Sequence, residues 1–256
     1  MAAAQVDAVV AVSTTGLATP SLDARLAGPL GLRPDIVRLP LWGLGCAGGA
    51  AGLARARDYC LAHPRARVLV AALETCSLTF VAGDASRKNL VGTALFADGA
   101  AAVLVAGAQA AGDGPRLRAA RSRLFPDSER VMGWDFGDAG MELVLSPRLP
   151  AIVQEELPAL VDAFLAENGL SRRGIAHYLT HPGGAKVIDA YREALGLDNG
   201  EELALTEAVL REHGNVSSVS VLLVLERWLA AAPRPGYGLL SAFGPGFAAE
   251  QLLLEV

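Results

Sequence analysis

Gly43-Leu44-Gly45-Cys46-Ala47-Gly48-Gly49-Ala50 sets a cysteine among four glycines just ahead of an alanine-rich stretch, Ala50-Ala51-Gly52-Leu53-Ala54-Arg55-Ala56-Arg57-Asp58-Tyr59. That composition predicts a helix, with Cys46 at or just before its first turn. Unpaired amides and the helix dipole there favour a thiolate over a thiol, and the glycines let other backbone or a substrate come close. A cysteine is also a small hydrophobe suited to a core. The glycine-rich helix start turns the reading toward a nucleophile.

On either side of this helix lie short apolar runs that read as strands buried on both faces. Val6-Asp7-Ala8-Val9-Val10-Ala11-Val12 ends in the polar turn Ser13-Thr14-Thr15-Gly16, and Arg67-Val68-Leu69-Val70-Ala71-Ala72-Leu73-Glu74 follows the stop at His63-Pro64. Strand, helix, strand implies a crossover unit with Cys46 at its hub. Asp98-Gly99 leads into a third strand through Val105. Between Gly107 and Arg130 small, polar and charged residues dominate, which sets a domain boundary and divides the chain into residues 1–112 and 113–256.

In the second part, Leu149 to Asn168 has the apolar spacing of an amphipathic helix, with Pro158 as a break and Gly169 as the stop. Ile175 to Thr180 reads as a strand ending at His181-Pro182-Gly183-Gly184. Helices follow over Lys186 to Leu195 and Leu203 to Arg211, and Asn215-Val216-Ser217-Ser218 opens a strongly apolar one. The strands Tyr237 to Ser241 and Gln251 to Val256 bracket a turn at Phe243-Gly244-Pro245-Gly246.

With 256 residues and 52% hydrophobic content, the chain is long enough to bury a proper core. A formal charge of −5 gives no basic excess to recommend nucleic acid, and an anionic ligand would need locally concentrated positive charge. Cys46, Cys60 and Cys76 are odd in number and lack metal-ligand spacing, so a reducing, cytoplasmic compartment is expected and no metal site. The N-terminus has no basic region ahead of an apolar one, as a secretory signal would. The longest apolar stretches are interrupted by Pro40 or Asp98, so no membrane span is expected.

Cys46, His181 and Asn215 each fall at a strand end or helix start, where α/β folds assemble sites. A lone histidine is a weak signal, and Asn215 also stands where a helix cap belongs; the combination is what informs. Gly45-Cys46-Ala47-Gly48-Gly49, Leu90 to Ala101, His181-Pro182-Gly183-Gly184, Gly214-Asn215-Val216-Ser217-Ser218 and Phe243-Gly244-Pro245-Gly246 occur in the order and approximate spacing of type III polyketide synthases. From about Val6 to its C-terminus the chain thus resembles these chalcone synthase-like members of the thiolase superfamily. Ketoacyl synthase III enzymes share the Cys, His, Asn set and stand as the alternative; the His-Pro-Gly-Gly and Phe-Gly-Pro-Gly forms are similar to the polyketide synthase branch.

The resemblance implies a thiolase-like α/β fold of two similar halves layered α-β-α-β-α. It implies an acyltransferase that loads a starter acyl-CoA on Cys46 and extends it by decarboxylative condensation of malonyl-CoA, with CoA thioesters as substrates and no further cofactor. His181, hydrogen-bonded to the sulfur, would favour the ion pair, and His181 and Asn215 would stabilise the malonyl enolate. Phe96 matches the family's gate between CoA tunnel and reaction chamber. Cys76, Thr79 and Ser217 match cavity positions, as does Gly133 in a segment similar to alkylpyrone and alkylresorcinol-forming members. Phe243, Gly244, Pro245 and Gly246 would shape the site. Thr19 falls where the family inserts a residue into a partner's cavity, which implies a homodimer. Family members also carry a long segment before the strand matching Val6 to Val12, with core strands and basic residues near the CoA phosphates. The first half is accordingly expected to be N-terminally truncated and short of a central strand, with weak turnover. A non-catalytic remnant that associates with a complete synthase is the rival reading.

Overall fold

β-Branched and alanine-rich runs build the first sheet of the computed structural model, which describes residues 2–110, 112–138, 140–197 and 200–256. The first half runs Ala8–Val12 (β1), Leu22–Ala27 (α1), Val37–Leu41 (β2), Gly48–Ala62 (α2), Arg67–Thr75 (β3), Arg87–Leu95 (α3) and Asp98–Ala106 (β4). The second runs Arg116–Leu124 (β5), Met132–Gly137 (β6), Gly140–Leu145 (β7), Leu149–Glu167 (α4), Ile175–Thr180 (β8), Ala185–Leu195 (α5), Ala204–His213 (α6), Ser220–Ala230 (α7), Tyr237–Gly244 (β9) and Ala248–Glu255 (β10).

The first sheet has the order β2-β1-β3-β4, with β1 parallel to both β2 and β3, and β4 antiparallel to β3. The second has the order β5-β10-β9-β8, in which β8 is parallel to β9 and β10 is antiparallel to both of its neighbours. A parallel pair followed by an antiparallel strand therefore occurs twice, as β1-β3-β4 and β8-β9-β10. This repeat makes the two similar halves of a thiolase-like fold.

Helices α2 and α7 lie between the sheets. One core joins Leu53 and Ala54 of α2, Leu222 and Leu225 of α7, Val10 and Val70 of the first sheet, and Leu240 and Leu252 of the second. A Cβ on Gly49 would sit 2.2 Å from the Ser218 carbonyl oxygen, so only glycine lets α2 approach this closely. A second core packs α4 and α5 on the far face of the second sheet, through Val153, Leu157, Ile188 and Tyr191 against Leu239 and Phe243. On the far face of the first sheet α1 rests against β1 and β2, while Ala100, Ala102 and Leu104 of β4 are exposed.

Several sequence expectations need correction. The first half has four strands rather than three and lacks no central one: β1 and β3 are paired directly, and the position without a strand among the described residues is the outer edge of β4. Its counterpart β10 has β5 there. Strand β2 escapes a hydrophobic-run reading because it is half-exposed and holds Pro40, which an edge position tolerates. The Gly107–Arg130 stretch contains β5, whose Arg116, Arg118 and Arg123 are exposed on an edge strand, a composition that blunts edge-to-edge pairing. Pro158 lies inside α4 without ending it. Among the described residues no helix is long and apolar enough to cross a membrane, and no cluster of His, Cys, Asp and Glu is arranged to hold a metal.

Candidate active site

Cys46 sits in a short 3-10 turn, Gly45–Ala47, that delivers the chain into α2. Gly45 has φ +44°, and a Cβ there would come within 2.6 Å of Pro245 Cδ. A Cβ on Gly244 would meet the Leu44 carbonyl oxygen at 2.5 Å. The Phe243-Gly244-Pro245-Gly246 stretch thus presses directly on the turn that carries the thiol. From the other side, Gly45 N donates to Thr14 Oγ1 at 2.8 Å.

The turn leaves Cys46 only 6% exposed. Burial pushes its thiol up to about 12; hydrogen bonding from Ser217 and Asn215 opposes this and the nearby Glu74 carboxylate adds to it. Burial thus opposes the thiolate expected from the helix start.

His181 ends β8, with its backbone N–H donating to the Ser241 carbonyl at 2.9 Å. Burial lowers its imidazole to about 3, so the ring is neutral, and neither ring nitrogen has a hydrogen-bond partner among the described residues. The expected Cys46–His181 hydrogen bond is absent from the hydrogen bonds among the described residues. The sulfur instead lies 4.0 Å from Asn215 Oδ1. That oxygen also accepts from Ser217 N at 2.9 Å, while Asn215 Nδ2 donates to the Gly183 carbonyl at 3.3 Å. Asn215 thus shapes the local turn, as a cap would, and retains one amide hydrogen for a ligand.

Cys46, His181 and Asn215 line one largely apolar cavity of about 570 Å³, together with Phe96, Met132, Tyr191 and Phe243. Chemically this is a thiol, an imidazole with two open nitrogens and an amide donor around a common space. A second chamber of about 330 Å³ is lined by Cys76, Thr79, Phe96 and Trp134. Phe96 borders both spaces and packs on Trp134 with ring centroids 5.7 Å apart. Backbone pairing holds it in place, since Asn215 N donates to Leu95 O and Ala97 N donates to Asn215 O, each at 2.9 Å. Gly133, Ser217, Gly244, Pro245 and Gly246 border neither space; Ser217 and the Gly244–Gly246 turn instead support the Cys46 turn and Asn215.

Sequence reasoning passed over Glu74, at the end of β3 and 0% exposed. Its carboxylate accepts from Thr14 N at 3.1 Å, Thr15 N at 3.0 Å, Thr15 Oγ1 at 2.5 Å and Ser218 Oγ at 2.6 Å. Thr14 in turn holds Gly45 N, so Glu74 fixes the loop against which the nucleophile turn is built. The available signal was a charged residue closing an otherwise apolar buried run, which needs partners wherever it occurs. Trp134 was passed over too, being read as part of a segment rather than as a cavity wall.

Comparison with known proteins agrees with this arrangement. Residues 2–109 match the N-terminal domain of chalcone and stilbene synthases, and residues 116–256 match their C-terminal domain. The chain is 46% identical over 259 residues to a putative chalcone synthase of Bacillus subtilis, covering 98% of this chain and 71% of that protein. It is 45% identical over 260 residues to a 1,3,6,8-tetrahydroxynaphthalene synthase of Streptomyces peucetius, covering all of this chain and 68% of the relative. The crystal structure of the Streptomyces coelicolor 1,3,6,8-tetrahydroxynaphthalene synthase, a bacterial type III polyketide synthase, superposes with a TM-score of 0.92 at 34% identity over 98% of this chain and 72% of that one. With both domain models matched in order and relatives of this identity spanned over two thirds of their length, the chain belongs to the chalcone and stilbene synthase family of type III polyketide synthases.

Proposed function

We propose that this site performs a decarboxylative Claisen condensation between a starter acyl-CoA and malonyl-CoA. The observation that carries the reading is the convergence of Cys46, His181 and Asn215 on one cavity, with both imidazole nitrogens open. In the loading step the Cys46 sulfur forms a bond to the acyl carbon while the carbon–sulfur bond to CoA breaks. The thiol proton passes through His181 to the departing CoA thiolate. Burial holds both thiol and imidazole neutral at rest, and His181, with both nitrogens open in the same cavity, is the group placed to relay the proton as the sulfur bonds to the acyl carbon.

Malonyl-CoA then occupies the same space. The bond to its carboxylate breaks, carbon dioxide leaves, and the electron pair moves onto the thioester oxygen as an enolate. A His181 N–H in the appropriate tautomer and the spare Asn215 N–H are the donors to that oxygen. Such preorganised donors contribute about 3 to 4 kcal/mol each. The enolate carbon attacks the acyl carbon on Cys46, the carbon–sulfur bond breaks, and the released thiolate takes a proton from solvent. Pairing with a second copy accompanies this reading, supported by the exposed Leu17 and Thr19 and by the exposed Trp42–Phe136 pair.

The test is incubation with a labelled acyl-CoA and mapping of the modified peptide. Label on Cys46 is expected, and label on Cys60 or Cys76 with Cys46 untouched refutes the assignment. A panel of alkyl and aryl starters in the product assay separates an alkylpyrone or alkylresorcinol former from a synthase of other rings.

A further inference from the structure

His181 has no polar tether: among the described residues neither ring nitrogen has a hydrogen-bond partner. The aim of its imidazole therefore depends on the backbone that carries it. Strand β8, which ends at Thr180, is an edge strand of the second sheet, bonded to β9. The N–H of the Thr180–His181 peptide donates inward to Ser241 O of β9 at 2.9 Å. In a trans peptide the carbonyl points the opposite way, so Thr180 O faces away from β9. Thr180 is buried, and a carbonyl there needs a donor from another element.

Thr206, in the first turn of α6, is that donor. Its Oγ1 donates to Thr180 O at 3.2 Å and stands 3.3 Å from Thr180 Oγ1, and both threonines are 0% exposed. The next residue, Glu207, is ion-paired with Arg192 of α5, the helix that follows His181-Pro182-Gly183-Gly184. The far end of α6 runs through Gly214, where a Cβ would lie 3.0 Å from Leu95 O, directly into Asn215. Helix α6 thus spans the two donors of the site. Its first turn grips the peptide before His181, and its last residues deliver Asn215.

We propose that Thr206 is a positioning residue for the condensation, and that α6 is the strut that holds His181 and Asn215 at their working separation. The inference rests on the functional reading above and deepens it, since Thr206 does not line the Cys46 cavity and acts only through the backbone it holds. With the Thr206 bond in place, the Thr180–His181 peptide is fixed on both sides, by β9 and by α6. Without it the peptide tilts about its one remaining bond, and the imidazole, several bonds further out, moves more than the peptide does. A misplacement of about 1 Å in a reacting group costs on the order of a hundredfold in rate.

The test compares Thr206→Val, which keeps the shape and removes the donor, with Thr206→Ser, which keeps the donor. Thr206→Val is expected to lower kcat for malonyl-CoA decarboxylation at least about tenfold with KM little changed, and Thr206→Ser to stay within about threefold of the parent. The His181 ring signals in proton–nitrogen correlation spectra, assigned against His181→Gln, should shift in the Val variant and stay in place in the Ser variant. Thr206→Ala also lacks the donor and supplies the same comparison if the Val variant does not fold. A hydroxyl that only stabilises the fold would lower Tm alone, so parent kcat per folded molecule in the Val or Ala variant overturns the proposal. Loss of kcat with unmoved His181 signals, or without rescue by Ser, overturns it as well. If the parent neither acylates Cys46 nor decarboxylates malonyl-CoA, the condensation reading falls, and the His181 signals of the variants decide the positioning role by themselves.

Discussion

Replacing Glu74 tests how the nucleophile turn is supported. Its buried carboxylate accepts from two backbone amides and two hydroxyls. Glu74→Ala leaves those donors in a closed space; the hydroxyls can rotate toward other acceptors, but the Thr14 and Thr15 amides cannot. Two stranded amides at about 1–3 kcal/mol each, with the packing lost beside them, amount to about 3–5 kcal/mol. Glu74→Gln keeps the shape and one acceptor oxygen and loses the charge assistance, a cost of about 2 kcal/mol. At about 2–4 °C per kcal/mol for a chain of this size, calorimetry should show Tm falling by about 10 °C for Ala and about 5 °C for Gln. The Gln variant has a second signature of opposite sense. The Glu74 carboxylate disfavours a thiolate at Cys46, so removing its charge should speed iodoacetamide alkylation of Cys46 at a given pH, read by peptide mapping. An Ala variant that melts within about 1 °C of the parent, or a Gln variant with unchanged alkylation, refutes the reasoning.

Cys46 alkylation in the parent should climb about tenfold per pH unit from neutrality to pH 10 without a plateau, because its thiol is pushed up to about 12; a plateau near pH 7 would show a preformed ion pair. His181 titrates at about 3 in the folded chain against its ordinary 6.5. Its stability contribution is therefore present above pH 6.5 and lost as pH falls from there toward 3, and His181→Gln should flatten that part of the acid denaturation curve. Gly45→Ala forces a Cβ against Pro245 at a positive φ and should lower Tm and slow Cys46 acylation together, so acylation at the parent rate would count against the close approach. Asn215→Ala should impair malonyl-CoA decarboxylation more than acyl loading, and equal loss of both would assign the residue to the turn it caps. Thr79→Phe, projecting into the chamber of about 330 Å³, should reduce the number of extensions in the product assay.

The fold was legible where burial imposes a pattern. β1, α2, β3 and α4 follow from apolar runs and helical spacing, and five short motifs carried the family. β2, β5 and the β6–β7 hairpin were missed for one physical reason: they lie at edges or over the site, where Pro40, the β5 arginines and Gly133 are tolerated and hydrophobic periodicity fades. The site was legible as a set of residues but not as an electrostatic state. Cys46, His181 and Asn215 could be picked from glycine-rich strand ends, whereas the burial that holds thiol and imidazole both neutral depends on packing from distant segments. The partners of Glu74 lie 59 to 144 residues away along the chain, and no local motif announces such separations.

The two backbone hydrogen bonds that join Leu95 and Ala97 to Asn215 bear on time as well as position. They tie the peptide units around Phe96 to a residue of the reaction centre, so swinging that segment aside would take Asn215 along. Widening the passage between the two chambers therefore falls to rotation of the Phe96 ring and of Trp134 against it. Side-chain rotations of this kind run far faster than the microseconds to milliseconds of a hinged lid. On the proposed condensation, passage between the chambers would thus be set by side-chain rotation at Phe96 and not by a hinged lid.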